Sequence, residues 1–322
     1  MKKFLVKVVC FLFCIAIFDC IFGVVMGSII KKIDIGGAGR DNFICNKVKD
    51  DVLIFGSSRA ELHYNAQMMT DSLGVSCYNC GEINSGIILA YGRLLMILER
   101  YTPKSIIYEV TPKFDYLDEN EDNHKFLKRL KFHYDRKGID SIFYSIDPSE
   151  KYKMLSSSYQ YNSSFFQYLI VFLSKVSSDT GIKGFRPFNE EMDTMKVKKG
   201  LIYYDSRQGY QYDSLKIEYL HKFLNLTKEE NINVIFVMSP VWYKQDTLVL
   251  EPIKNICEER NISLIDFSNN PKYVHNNKFF KDGTHLNARG ADEFSRDLIS
   301  ALKTLKVFQT ELRGAENSEI PF

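Results

Sequence analysis

The 322-residue sequence has little net charge, and that excludes one class of partner at once: a formal +2 creates no broad field that would draw in nucleic acid. It has one tryptophan and only six histidines. No spacing of His, Cys, Asp and Glu matches a metal-ligand pattern, so neither a metal nor another cofactor is expected. There is no internal repeat, which sets aside solenoids and propellers. Scarce histidine makes the position of each one informative. In "DGTHLNARG" (282–290), His285 stands three residues after Asp282, where the chain turns into its last helix. A polar loop capping a helix has this composition, and so does a carboxylate–imidazole pair built for proton transfer. Choosing between them requires a nucleophile elsewhere.

What the chain does contain is one long apolar run. Residues 8–30, "VVCFLFCIAIFDCIFGVVMGSII", carry a single charge, Asp19. About 20 apolar residues suffice to cross a hydrocarbon core. Asp19 costs about 2.5–3.5 kcal/mol at mid-span, which so apolar a run absorbs. No A-x-A cleavage pattern follows, and the residue before Cys20 is acidic, so the segment reads as an uncleaved anchor. Lysines flank both sides, leaving the positive-inside rule almost neutral. The usual dominance of the first flank favours a cell-membrane protein with its N-terminus inside and the bulk of the chain extracytoplasmic. Three of the seven cysteines lie in the run. "CYNC" (77–80) has redox spacing, but no helix follows whose N-terminus would lower a thiol pKa. Buried thiols or a structural disulfide fit better.

The remainder alternates. Short apolar runs at 52–55, 75–79, 105–110, 233–240 and 262–267 are separated by helical patterns, the signature of βαβ units with a parallel sheet covered on both faces. The expectation is an α/β fold: a doubly wound, five-stranded, flavodoxin-like three-layer sandwich. Boundaries follow as an anchor at 1–30, a polar linker at 31–50, an α/β domain at 51–305 and a polar tail at 306–322. Alternation fails over 113–213, read as a helical insertion at the ligand-binding edge of the sheet, either a lid or substrate platform or a plain extension. Its aromatic residues, among them Phe165, Phe166, Tyr203 and Tyr204, suit stacking on sugar rings as well as a core.

Ser58 supplies the nucleophile. It follows the first buried strand at the start of a helix, where its hydroxyl faces the crevice above the sheet. Its own N–H is an orphan first-turn donor able to hold an oxyanion. The Asp282–His285 loop follows the last strand and opens onto the same edge. His63 is a rival base one turn past Ser58, beside a Glu61 read as solvated. Arg59 reads as a salt-bridged structural group, and His275 as a surface residue.

"FGSSR" early and "DGTHLN" late together resemble the SGNH (GDSL-type) hydrolase superfamily, in particular its membrane-anchored branch associated with envelope acyl transfer. The resemblance covers residues 50–112 and 213–305. It implies a catalytic triad of Ser58, His285 and Asp282. It further implies oxyanion donors from the backbone of Ser58 and from the second block "YNCGEINSG", with Gly81 first and Asn84 and Gly86 as the others. The third block of the family supplies an asparagine, and "YEVTPKFD" has none; Thr111 or a backbone amide is the substitute. The implied activity is that of a serine esterase or O-acyltransferase on acyl, chiefly acetyl, esters of a cell-envelope carbohydrate, alongside an acyl-supplying membrane protein. The alternative is a catalytically silent envelope scaffold or glycan-binding protein on the same fold.

Overall fold

The computed structural model describes residues 1–118, 122–161, 165–174, 181–193 and 209–305. Tyr203, Tyr204 and the 306–322 tail lie outside the described residues. In chain order the helices and strands are α1 (Lys2–Lys31), α2 (Gly36–Asn46), β1 (Val52–Gly56), α3 (Ser58–His63), α4 (Ala66–Leu73), β2 (Cys77–Asn79), α5 (Ile87–Leu98), β3 (Ser105–Glu109) and α6 (Pro112–Asp115). They continue with α7 (Ile139–Ile146), α8 (Glu150–Lys153), α9 (Ser157–Tyr161), α10 (Phe165–Ser174), α11 (Ser214–Glu229), β4 (Asn233–Met238), α12 (Glu251–Arg260), β5 (Ser263–Asp266) and α13 (Ala288–Thr304). They divide into two compact units. One gathers Met1–Lys47, Gly92–Glu99 and Asp122–Thr180; the other gathers Val48–Tyr91, Arg100–Glu121 and Gly181–Phe322.

The second unit is the expected α/β sandwich. Its five strands are all parallel in the order β2-β1-β3-β4-β5. "VLIFG" and "SIIYE" are buried at every position, as strands covered on both faces must be. Val52, Ile54, Ile107, Ile235 and Val237 share a cluster with Tyr64, Met69, Phe294, Leu298 and Leu302, so α3, α4 and α13 cover one face. On the other face Phe55, Tyr108 and Phe236 form an edge-on aromatic group, the first two against Phe223 of α11. α13 earns its place by periodicity: Ala291, Phe294, Leu298 and Leu302 fall on one stripe, and Asn287 caps the helix by accepting from the Gly290 N–H. Strand order reverses beside β1 and β3, and the crevice at such a switch point is where doubly wound sheets place ligands.

The first unit holds α1, the described chain's one helix long and apolar enough to cross a membrane. Its C-terminal third packs on α9 and α10 through Met26, Ile30, Tyr161 and Tyr168. The segment read as a polar linker is not one. Residues 36–46 form α2, with Asp41, Ile44 and Cys45 buried. The Arg93 guanidinium holds Asp41 at 2.7 Å, so charged positions are interior because they are paired. Hydropathy cannot register that. The 113–213 insertion is likewise not one body: residues 122–174 belong to the first unit, and 181–193 with 209–213 to the second.

Candidate functional site

The β1–α3 turn places the serine. Gly56 has φ +138°, and a Cβ there would lie 2.6 Å from the Glu109 carbonyl oxygen, so only glycine lets β1 turn away beside β3. Ser57 caps α3, its hydroxyl accepting from the Arg59 N–H at 3.3 Å. Ser58 is then the first helical residue, and its Oγ lies 2.9 Å from His285 Nε2 across 227 positions of sequence.

The loop carrying His285 is wound around one carboxylate. Asp282 Oδ1 accepts from the backbone N–H groups of Thr284 (2.8 Å) and His285 (2.9 Å), and Oδ2 lies 2.9 Å from His285 Nδ1. Because a carboxylate only accepts, Nδ1 carries the ring proton, and Nε2 is left to accept from Ser58. Burial pushes the Asp282 carboxyl up, but the imidazole hydrogen bond, the His285 charge interaction and the two N–H donors outweigh it and bring it to about 2. Asp282 is thereby held as the carboxylate. Phe188 stands edge-on to the imidazole at 5.9 Å, and its carbonyl accepts from the Ala288 N–H at 2.6 Å, so residues 181–193 wall this side of the loop.

Beneath Ser58 lies a buried polar network that sequence reasoning did not find. Glu109 ends β3. Its carboxylate faces Arg59 (2.9 Å), accepts from the Tyr64 hydroxyl, and takes both the N–H (2.9 Å) and the hydroxyl (3.0 Å) of Ser239. Burial pushes Glu109 up, opposed chiefly by Arg59. The one legible signal was an acid closing an otherwise apolar strand. His63 belongs to this network and is no rival base. Its Nε2 accepts the Leu286 N–H at 3.0 Å, so Nδ1 carries the proton toward Ser239 Oγ at 2.8 Å. Burial, then Arg59 and His285, hold its pKa well below 6.5. A neutral His63 therefore pins the peptide next to His285.

One expectation needs correction. Glu61 is not solvated: it is fully buried, pairs with Arg186, and accepts from the Ile83 N–H at 2.9 Å. The Gly81 N–H, expected to face an oxyanion, donates to Asn79 Oδ1 at 3.0 Å. Glycine is required there because a Cβ would meet the Glu61 nitrogen at 2.5 Å, where α3 approaches. Asn84 sits in an exposed left-handed turn (φ +56°), and no hydrogen bond joins it to Ser58 or His285. Thr111, the third-block substitute, has its hydroxyl on Ser57 at 2.7 Å, and its N–H donates to Asp115 at 2.6 Å. Burial pushes Asp115 up to about 7, against the donors Tyr108, Thr111 and Ile87. Arg59 is the ion-paired group expected, and His275 is exposed against Trp242. No disulfide joins any of the seven cysteines, and burial pushes the Cys77 thiol up to about 12, far from redox chemistry.

Two groups of potential metal ligands come together in the first unit despite unpromising spacing: Asp41, Cys45 and His133, and His124, Asp147 and Glu150. Both already hold a cation. Arg93 occupies Asp41, and Lys153 lies 2.7 Å from Asp147 and 3.1 Å from Glu150.

No family model matches the sequence, and no curated protein matches it. Solved structures do align with it. One is an acylhydrolase from Bacteroides fragilis NCTC 9343, at 11% identity over 80% of this chain and 89% of that one, TM-score 0.36. A platelet activating factor structure from Streptococcus pneumonia aligns at 11% identity over 85% and 91%, TM-score 0.33. An acetyl xylan esterase from the rumen bacterium Butyrivibrio proteoclasticus aligns at 10% identity over 79% and 63%, TM-score 0.36.

Proposed function

We propose that this chain is a membrane-anchored serine ester hydrolase or O-acyltransferase of SGNH type. The observation that carries the reading is the relay Ser58 Oγ–His285 Nε2 at 2.9 Å with His285 Nδ1–Asp282 Oδ2 at 2.9 Å. Ser58 attacks an ester carbonyl while His285 takes its proton. Asp282 holds the imidazole in the tautomer that can accept, and stabilises the imidazolium that forms. The Ser58 N–H, at the first position of α3, faces the developing oxyanion. His285 returns the proton to the leaving alcohol, an acyl-serine remains, and water or a sugar hydroxyl resolves it by the same path in reverse. Supporting an envelope setting are the length and apolarity of α1 and the resemblance of "FGSSR" and "DGTHLN" to anchored superfamily members. Acetyl esters of a cell-envelope carbohydrate, with an acyl-supplying membrane protein nearby, fit that setting and an extracytoplasmic α/β unit. Ser58→Ala should lower hydrolysis of a chromogenic acetyl ester at least about a thousandfold; full activity would end the proposal. Free acetate among the products indicates hydrolysis, and an acylated glycan indicates transfer.

One observation favours a second reading, a silent scaffold or glycan-binding protein. The Gly81 N–H is bound to Asn79, and the third block has no asparagine, so two of the donors that the resemblance implies are not offered by their first-choice groups. Wild-type protein inert toward every ester offered, yet retaining glycan binding, is the result that would select it.

A further inference from the structure

Within the first unit, α10 has the sequence "FFQYLIVFLS", ten residues without a charge. One side is used: Tyr168 is buried with Met26, Ile30 and Tyr161, and Phe165 and Val171 pack on that cluster. The opposite side is bare. Phe166, Ile170 and Leu173, spaced as i, i+4 and i+7, are 73%, 62% and 70% exposed. They form a stripe along the helix, and large apolar residues so exposed mark a surface meant to be covered.

The helix that α10 packs on says what covers it. Exposed apolar side chains on α1 run from Phe4 to Val25. Were the hydrocarbon to stop below Asp19, only Phe4–Phe18 would lie in it, about 22 Å at 1.5 Å per residue. A typical hydrocarbon core is about 30 Å thick. Phe4–Val25 is about 33 Å long and meets that requirement. The apolar zone therefore reaches past Asp19 to Val24 and Val25. That is the stretch to which α10 is joined, with the Phe22 and Phe165 rings 5.4 Å apart. Asp19 fits the same depth. Its carboxylate accepts from the Ser156 hydroxyl (3.1 Å) and the N–H groups of Ser157 (2.7 Å) and Ser158 (2.8 Å), so the protein and not lipid faces the charge. Gly23 opens the way: a Cβ there would lie 2.3 Å from Ser157 Oγ.

We propose that α10 is a second membrane element, lying in the bilayer beside α1 with Phe166, Ile170 and Leu173 against lipid acyl chains. At ten residues it is too short to cross. It seats in one leaflet and fixes the first unit against the membrane surface, where α1 alone would leave a swivelling tether. The proposal rests on the reading of α1 as a span.

The test uses the full-length chain in phosphatidylcholine vesicles with bromine on the acyl chains, a contact quencher of tryptophan. Wild-type Trp242, the one tryptophan of the chain, sets the background. Ile170→Trp and, as a second reporter, Phe166→Trp are compared with Phe11→Trp on the exposed apolar surface of α1. The expected result is an added loss of emission at 166 and at 170 matching that at 11. Loss at 11 with none at 166 and 170 overturns the seating of α10 and leaves the span standing. No loss at 11 removes the span, and the proposal with it.

Discussion

Replacing Glu109 by glutamine isolates the network on which the Ser58 turn rests. The carboxylate is fully buried and its partner Arg59 is 6% exposed. Glutamine keeps the shape and one carbonyl oxygen. Its amide, however, must face either the Ser239 N–H and Tyr64 hydroxyl or the Arg59 guanidinium and Ser239 hydroxyl, donor against donor. Arg59 keeps its bonds to Ser239 but loses its counter-charge. Removing one member of a buried pair costs about 3–5 kcal/mol, because the survivor is left as an uncompensated charge. Trp242 reports on the sheet unit alone: its N–H follows β4 and bonds the Gly283 carbonyl at 3.1 Å. With a slope of about 2–3 kcal/mol per molar urea, the fluorescence midpoint should fall by about 1–2 M. Arg59→Met combined with Glu109→Gln should then cost less than the two single changes together, by a coupling of about 1–3 kcal/mol. A single variant within about 1 kcal/mol of wild type, or a coupling of zero, would refute the reasoning.

His63→Leu strands the Leu286 N–H and removes one of the donors to the Ser239 hydroxyl, and should cost about 1–3 kcal/mol while lowering ester turnover. The sign with pH is fixed: His63 is neutral in the folded protein, while the unfolded chain takes a proton below 6.5. Wild type should therefore lose about 1.4 kcal/mol per pH unit relative to the variant as pH falls below 6.5. Urea curves at pH 7.5 and 5.5 should show the gap closing, and a widening gap contradicts the assignment. Asp282→Asn should leave the fold intact and reduce turnover by about four orders of magnitude, since the imidazole loses its tautomer. Asp282 titrates from 3.8 down to about 2 on folding, so its contribution to stability is full above pH 3.8 and lost as pH falls through about 2. Chemical denaturation of both proteins at pH 5 and pH 2 checks this.

The sheet was legible because parallel strands buried on both faces read as bare apolar runs; four strands lie within the segments marked by composition, and β1 runs one residue past its segment, to Gly56. Ser58 and the Asp282–His285 loop were legible for a related reason: each follows a strand, and parallel strands open their C-terminal ends onto one edge. The support beneath them was not. Glu109 sits beside Val237 in strand register, which brings Ser239, two residues on, to the carboxylate. A register is a three-dimensional fact with no local sequence mark. Glu61 looked solvated because its partner, Arg186, is 125 residues away. α2 looked like a linker because paired charges and glycines mimic one, and the close packing of α3 that demands a glycine at position 81 has no local sequence mark either.

The most direct test of the central claim is labelling of the purified full-length chain by a fluorophosphonate, which reacts only with an activated serine. Wild type should be labelled at Ser58, and labelling should vanish in both Ser58→Ala and His285→Ala. Absence of label on wild type, or label that survives loss of His285, would contradict proton transfer between these two side chains.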